Sequence, residues 1–213
     1  PCDAAVAQPL CWRACGSSAP APLNARDFMN GDDLQASTIP FVTVTNWVRA
    51  AMQCHIDIAS IFQAEGMDMT SLHPETAKIG WRTIVNIMER CVDATRRTGA
   101  GQHFPIILGE SFAFEYMSDV ETFITTSASL REAARSLEWI SALVNPHMVF
   151  SVAEHGHQAR IILRYNNADA APDKTWHFTE ASLTTTVKFS RLLLGSDAVI
   201  NRITFRHGPH ADS

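Results

Sequence analysis

The stretch Met148-Val-Phe-Ser-Val-Ala-Glu-His-Gly-His-Gln-Ala-Arg-Ile-Ile-Leu-Arg-Tyr165 decides the fold class. Met148, Phe150 and Val152 alternate with Val149, Ser151 and Ala153, and Ala159, Ile161, Leu163 and Tyr165 alternate again. Side chains in a strand point to opposite faces in turn, so two period-two runs around Glu154-His-Gly-His-Gln158 predict a β-hairpin. Almost everything before it reads differently.

Upstream, apolar residues recur at helical spacing. Val44, Trp47, Val48, Ala51 and Met52 start the pattern, and His55 breaks it. Asp57 is placed to cap a short helix through Ile58, Ile61 and Phe62, which Gly66 stops. Leu72 to Ile79 reads as a connector. A longer helix from Gly80 to about Arg97 carries Trp81, Ile84, Val85, Met88 and Val92 as its stripe, with Arg90, Arg96 and Arg97 toward the negative end of its dipole. His103 to Met117 is apolar and aromatic, either a buried helix or an irregular segment entering the core. Ser118 or Asp119 is expected to cap a short helix through Val120 and Phe123. Ser129-Leu-Arg-Glu132 fits a capping box. The helix it opens should bury Leu130, Ala133, Ala134, Leu137, Ile140 and Leu143 and end at Asn145-Pro146.

Beyond the hairpin, 166–174 reads as a polar loop. A long helix is predicted from about Phe178 to Leu194, with Leu183, Val187, Ser190 and Leu194 on one face and Gly195 as its cap. Ile200-Asn-Arg-Ile-Thr-Phe-Arg206 alternates as a closing strand. The fold class is therefore α+β: an N-terminal helical half, then β-hairpin, long helix and strand forming a small, mostly antiparallel sheet. Residues 1–38 are expected to be an irregular leader and 39–213 one domain. The end just past a strand suggests a truncated chain.

Composition limits the function. In 213 residues, 46% are hydrophobic and only 18% charged, which fits a chain with a buried core rather than a disordered one. The net charge of −5 lacks the basic excess of a domain that binds nucleic acid by itself. No apolar run approaches the roughly 20 residues of a membrane-spanning helix. The helical pair around His55 superficially resembles a helix-turn-helix, but Ile58 to Glu65 carries no Lys or Arg for phosphate. Five cysteines form no disulfide framework, and a reducing cytoplasm is the natural compartment. Cys54 and Cys91 read as small buried hydrophobes. Cys2, Cys11 and Cys15 lack the fourth ligand of a structural zinc site.

No catalytic constellation emerges. The histidines form no helical metal pair, and His155-Gly-His157 flanks a turn. Leu108-Gly-Glu-Ser-Phe112 lacks the second glycine of a nucleophile elbow. Glu110, Glu115, Asp119 and Glu121 make an acidic run of a kind common on surface turns. The expectation is a non-enzyme without metal or cofactor. Small-molecule sites are mostly apolar with a few polar anchors. Glu110, Phe112, Phe114 and Tyr116 bring acid and aromatics together after a glycine, so this segment is expected to line a ligand pocket, with Trp81 and Trp139 as further walls. Haem-based gas sensing suits the element order only loosely, since no His has a distinctive proximal context.

Several pieces together carry a resemblance: Gly66-Met-Asp68 with Leu72-His-Pro-Glu75, the helix opening at Trp81, His103-Phe-Pro105, Leu108 to Tyr116, Ser129-Leu-Arg-Glu-Ala133, and Arg202 to His207. In this order and spacing, residues 39–207 resemble the helical, arabinose-binding-like N-terminal effector-binding domain of AraC/XylS-family transcription regulators. The resemblance implies sensing of a small-molecule effector, homodimer formation, and contact with promoter DNA only through a C-terminal helix-turn-helix domain absent from this chain. The alternative is a ligand-free dimerisation or protein-interaction module, in which the helix at 178–194, with Lys188 and Arg191 exposed beside an apolar ridge, pairs with its twin.

Overall fold

The computed structural model describes residues 38–155, 158–165, 172–195, 200 and 202–205. The leader cysteines Cys2, Cys11 and Cys15, the turn at Gly156-His157, the loop at 166–171 and the terminal His207 and His210 lie outside the described residues.

Strand β1 (Thr38–Pro40) pairs antiparallel with β2 (Lys78–Gly80), Ile39 opposite Ile79. Both isoleucines are buried, so the start of the expected domain and the end of the expected connector pair as a small sheet. Between them run α1 (Val44–Gln53) and α2 (Ile58–Ala64). His55 breaks the helical path with a φ of 54°. The Asp57 carboxylate then accepts from the Ser60 amide at 3.2 Å, capping α2 as expected. Helix α3 (Trp81–Thr98) buries Ile84, Val85, Ile87, Met88, Cys91 and Val92, and Gly99 ends it at φ 67°, in the left-handed region that glycine enters freely. Cys54 and Cys91 are both fully buried, and burial pushes both thiols up.

The ambiguous segment resolves into α4 (Phe104–Ser111), with Pro105 in its first turn, followed by extended chain through Phe114. Helix α5 (Ser118–Thr126) starts from Met117 without a side-chain cap, so neither Ser118 nor Asp119 serves as one; both lie inside the first turn. The capping box at Ser129 does form. Its hydroxyl accepts from the Glu132 amide at 3.2 Å, while Glu132 Oε2 accepts from the Ala128 amide at 3.0 Å, one residue before the position expected.

The helix it opens is not continuous. It divides into α6 (Leu130–Ala133) and α7 (Ser136–Val144), because Ser136 Oγ donates to the Ala133 carbonyl at 2.7 Å and competes with the helical ladder. Leu130 in α6 and Leu143 in α7, both expected inside, are exposed.

Strands β3 (Met148–His155) and β4 (Gln158–Tyr165) form the expected hairpin, with Met148 opposite Tyr165 and Phe150 opposite Leu163. Helix α8 (Pro172–Leu194) starts six residues before the expected Phe178. Its inner face is set by Phe178, Ala181 and Ser190 rather than by Leu183 and Leu194. Residues 200 and 202–205 are not a strand. Ile203 and Phe205 are exposed there, and alternation alone does not make a strand. The architecture is α+β with two separate two-stranded antiparallel sheets in place of one that includes a closing strand.

Two apolar clusters make the core. The larger joins α1 to α4, the base of the hairpin and α8; the smaller gathers Phe114, Met117, Val120 and Ile124 against Ile140, Phe189 and Leu193.

Candidate ligand cavity

Between these clusters lies a cavity of about 140 Å³. Its wall draws on nearly every part of the fold: Trp47 from α1, Leu108 from α4, Phe112 and Phe114, Leu137 and Ile140 from α7, Met148 and Phe150 from the hairpin, and Phe178, Thr185 and Phe189 from α8. The arrangement follows from sequence locally. The helical spacing of Leu137, Ile140 and Val144 puts them on one face of α7, and the hairpin register puts Met148, Phe150, Ile161 and Tyr165 on one face.

The aromatic segment after α4 is held by polar groups from both sides. Asn46, 2% exposed inside α1, donates to the Ala113 carbonyl at 3.1 Å and accepts from the Ala113 amide at 2.8 Å. That pairing satisfies both backbone groups of one residue, as a strand partner would. Arg49 donates to the Ser111 carbonyl at 3.0 Å and to Asn46 Oδ1 at 3.1 Å, and it also pairs with the Glu115 carboxylate. From the other side Lys188 donates to the Phe112 carbonyl at 2.6 Å and lies 5.6 Å from the Phe189 ring centre. Partial burial lowers the Lys188 amine, with the nearby Arg49 charge adding to it and Glu110 opposing. Lys188, expected to be exposed, is thus a buttress of the segment.

Phe112 and Phe114 stand in the cavity wall, edge-on to each other at 5.2 Å, with Phe189 4.7 Å from Phe114. Glu110 is exposed on α4 and Tyr116 is 44% exposed, and neither reaches the wall. Trp81 sits one layer behind it, packed on Tyr165 and Phe178, which do line it. Trp139 is 45% exposed on the far side of α7, against Phe123. The sequence reading missed Asn46, Arg49 and Lys188. The one signal for them was a polar residue, Asn46, next to the buried Trp47 in an amphipathic helix.

A second polar cluster lies apart from the named cavity lining. His103 Nε2 hydrogen-bonds Glu180 Oε2 at 2.7 Å, and His177 Nδ1 is 3.9 Å from the same oxygen. Among the described residues this is the one group of three side chains whose donor atoms come close enough to share a cation. Three protein ligands leave an open position, unlike a closed structural zinc site.

Among the described residues no helix is long and apolar enough to cross a membrane. Residues 56–213 match the family model of the arabinose-binding domain of AraC transcription regulators, N-terminal. No curated protein matches the chain at a significant level.

Proposed function

This chain belongs to the family of N-terminal arabinose-binding domains of AraC transcription regulators, and on that premise we propose that it is the small-molecule sensing and dimerisation domain of such a regulator. The observation that supports this reading most is the shared cavity wall. An effector seated there touches α1, α4, α7, the hairpin and α8 at once. A ligand biases a regulator only through its differential affinity for two arrangements, and a wall assembled from many elements changes shape whenever they shift. The side chains lining it carry no charge, which favours binding without chemistry, so the chain is read as a non-enzyme.

Dimerisation is assigned to the outer side of α8, where Leu192 is 68% and Leu194 47% exposed beside Arg191. Two copies meeting about a twofold axis would cover both leucines. Promoter DNA would be read by a helix-turn-helix domain of the regulator in the cytoplasm, and the net charge of −5 fits the sensing part.

Native mass spectrometry of the purified chain tests this. A dimer, or a dimer carrying a retained small molecule, is expected, and Leu192→Asp with Leu194→Asp should yield monomers with an unchanged melting temperature. A dimer that retains nothing and is stabilised by no member of a metabolite library would instead make the chain a ligand-free dimerisation module.

A further inference from the structure

We infer that the cavity takes an uncharged, hydrocarbon-rich ligand, an alkyl or aryl compound of about one ring, and not a free sugar. The inference rests on the sensing role proposed above and names the class of molecule sensed.

The family takes its name from arabinose, but the wall is built for something else. A sugar exposes a hydroxyl on almost every carbon. Each one loses water on entry and must find a partner, and a buried hydroxyl left without one is costly. Sugar recognition therefore needs free donors and acceptors around the ligand. Here the wall is mainly Trp, Phe, Leu, Ile, Val, Ala and Met.

Thr43 and Asn145 also stand in the wall, but the polar side chains of α8, Ser136 and Asn46 are committed elsewhere. Thr185 donates to the Ala181 carbonyl at 3.0 Å, Thr186 to Ser182 at 2.9 Å and Ser190 to Thr186 at 2.8 Å, all one turn back along α8. Ser136 likewise donates to Ala133. The Asn46 amide is held by Ala113 on both sides. Each of these hydroxyls has its single hydrogen engaged by a backbone carbonyl and has none left to donate to a ligand.

Tyr165 lines the cavity with its ring, but its hydroxyl oxygen is sealed from solvent. The Ser182 hydroxyl nearby bonds Met148 Sδ instead, and the phenol has no partner in hydrogen-bond geometry. Burial keeps it neutral. Among the described residues no cationic side chain is in the wall, and Arg49 and Lys188, behind the aromatic segment, hold the Ser111 and Phe112 carbonyls. A carboxylate or phosphate would thus enter without a counter-charge in the wall, which disfavours it against its neutral ester.

Size agrees with chemistry. A volume near 140 Å³ matches the dry cavity of about 150 Å³ that accepts benzene in an engineered lysozyme.

Four compounds of graded polarity test the assignment by calorimetry and melting temperature: toluene, methyl benzoate, benzoate and L-arabinose. Toluene and methyl benzoate should bind and raise the melting temperature. Benzoate should bind at least about tenfold more weakly than its ester, and arabinose should not bind. Ala134→Phe, which puts a ring into the cavity, should abolish binding of both neutral compounds. Ile161→Phe from the hairpin wall serves if the first variant does not fold. Arabinose or benzoate binding that either variant blocks overturns the ligand class and leaves the sensing role standing. Binding of the neutral compounds that both folded variants leave intact overturns the location. Failure of both neutral compounds to bind overturns the class, while the sensing role is judged separately by retained mass and the metabolite library.

Discussion

Gly109 shows how one residue sets the geometry of the site. It sits where α4 crosses α8, and a Cβ there would land on the Ala181 carbonyl oxygen and the Thr184 side chain. Thr185 Oγ1, which donates to Ala181, is only 3.2 Å from the Gly109 carbonyl oxygen, so the helices approach at backbone distance. A backbone oxygen cannot rotate away, and Gly109→Ala should destabilise the fold by about 2–3 kcal/mol in urea unfolding. In sequence, Leu108-Gly-Glu-Ser raised the question of a nucleophile elbow; the glycine is there for packing. Asn46 is the complementary case, a polar side chain that replaces a strand. Asn46→Ala leaves the Ala113 amide and carbonyl without their partner, and a loss of about 2–3 kcal/mol is expected by the same assay. No pattern in the sequence announces this, because Asn46 and Ala113 are 67 residues apart.

At the scale of elements, polar residues decide where helices begin, break and meet. The Asp57 and Ser129 caps were legible because a cap is local, a side chain reaching an amide three residues on. The junction of α2 with α3 was not. There Glu65 accepts from Arg90 Nε at 2.7 Å and Asn86 Nδ2 at 3.0 Å. Burial alone would raise the Glu65 carboxyl, but the Asn86 and Arg90 contacts outweigh it and hold it below the usual carboxylate range. A carboxyl lowered in the folded state contributes stability above its unfolded pKa of about 4.3 and loses it as pH falls through the folded value. Glu65→Gln should therefore cost about 1 kcal/mol at pH 7, and the difference from the parent chain should vanish on acid titration below pH of about 4, followed by urea melts.

Over the whole molecule the two clusters are unequal. The larger runs through α1 to α4, the hairpin base and α8; the smaller has four buried members, while Leu130, Trp139 and Leu143 are exposed. Local opening is easiest where few apolar contacts oppose it. Amide hydrogen exchange should be slowest in the middle of α3 and faster by at least about tenfold in α5 to α7, and a ligand in the cavity should slow α7 most. The sequence by itself determined what depends on neighbours along the chain: helices α1 to α3, the Asp57 and Ser129 caps, the hairpin, the buried Cys54 and Cys91, and the family. It placed Phe112 and Phe114 together because they are two residues apart. It overextended at Leu130 to Leu143, where a serine hydroxyl broke the helix, and at Ile200 and 202–205, which alternate without forming a strand. Only the tertiary structure decided that β1 pairs with β2, that Asn46, Arg49 and Lys188 converge on one aromatic segment, and that Trp81 and Trp139 stand outside the cavity wall. Those outcomes depend on contacts between residues distant in sequence, and hydrophobic burial, being non-directional, does not say which apolar side chain ends in a wall and which behind it.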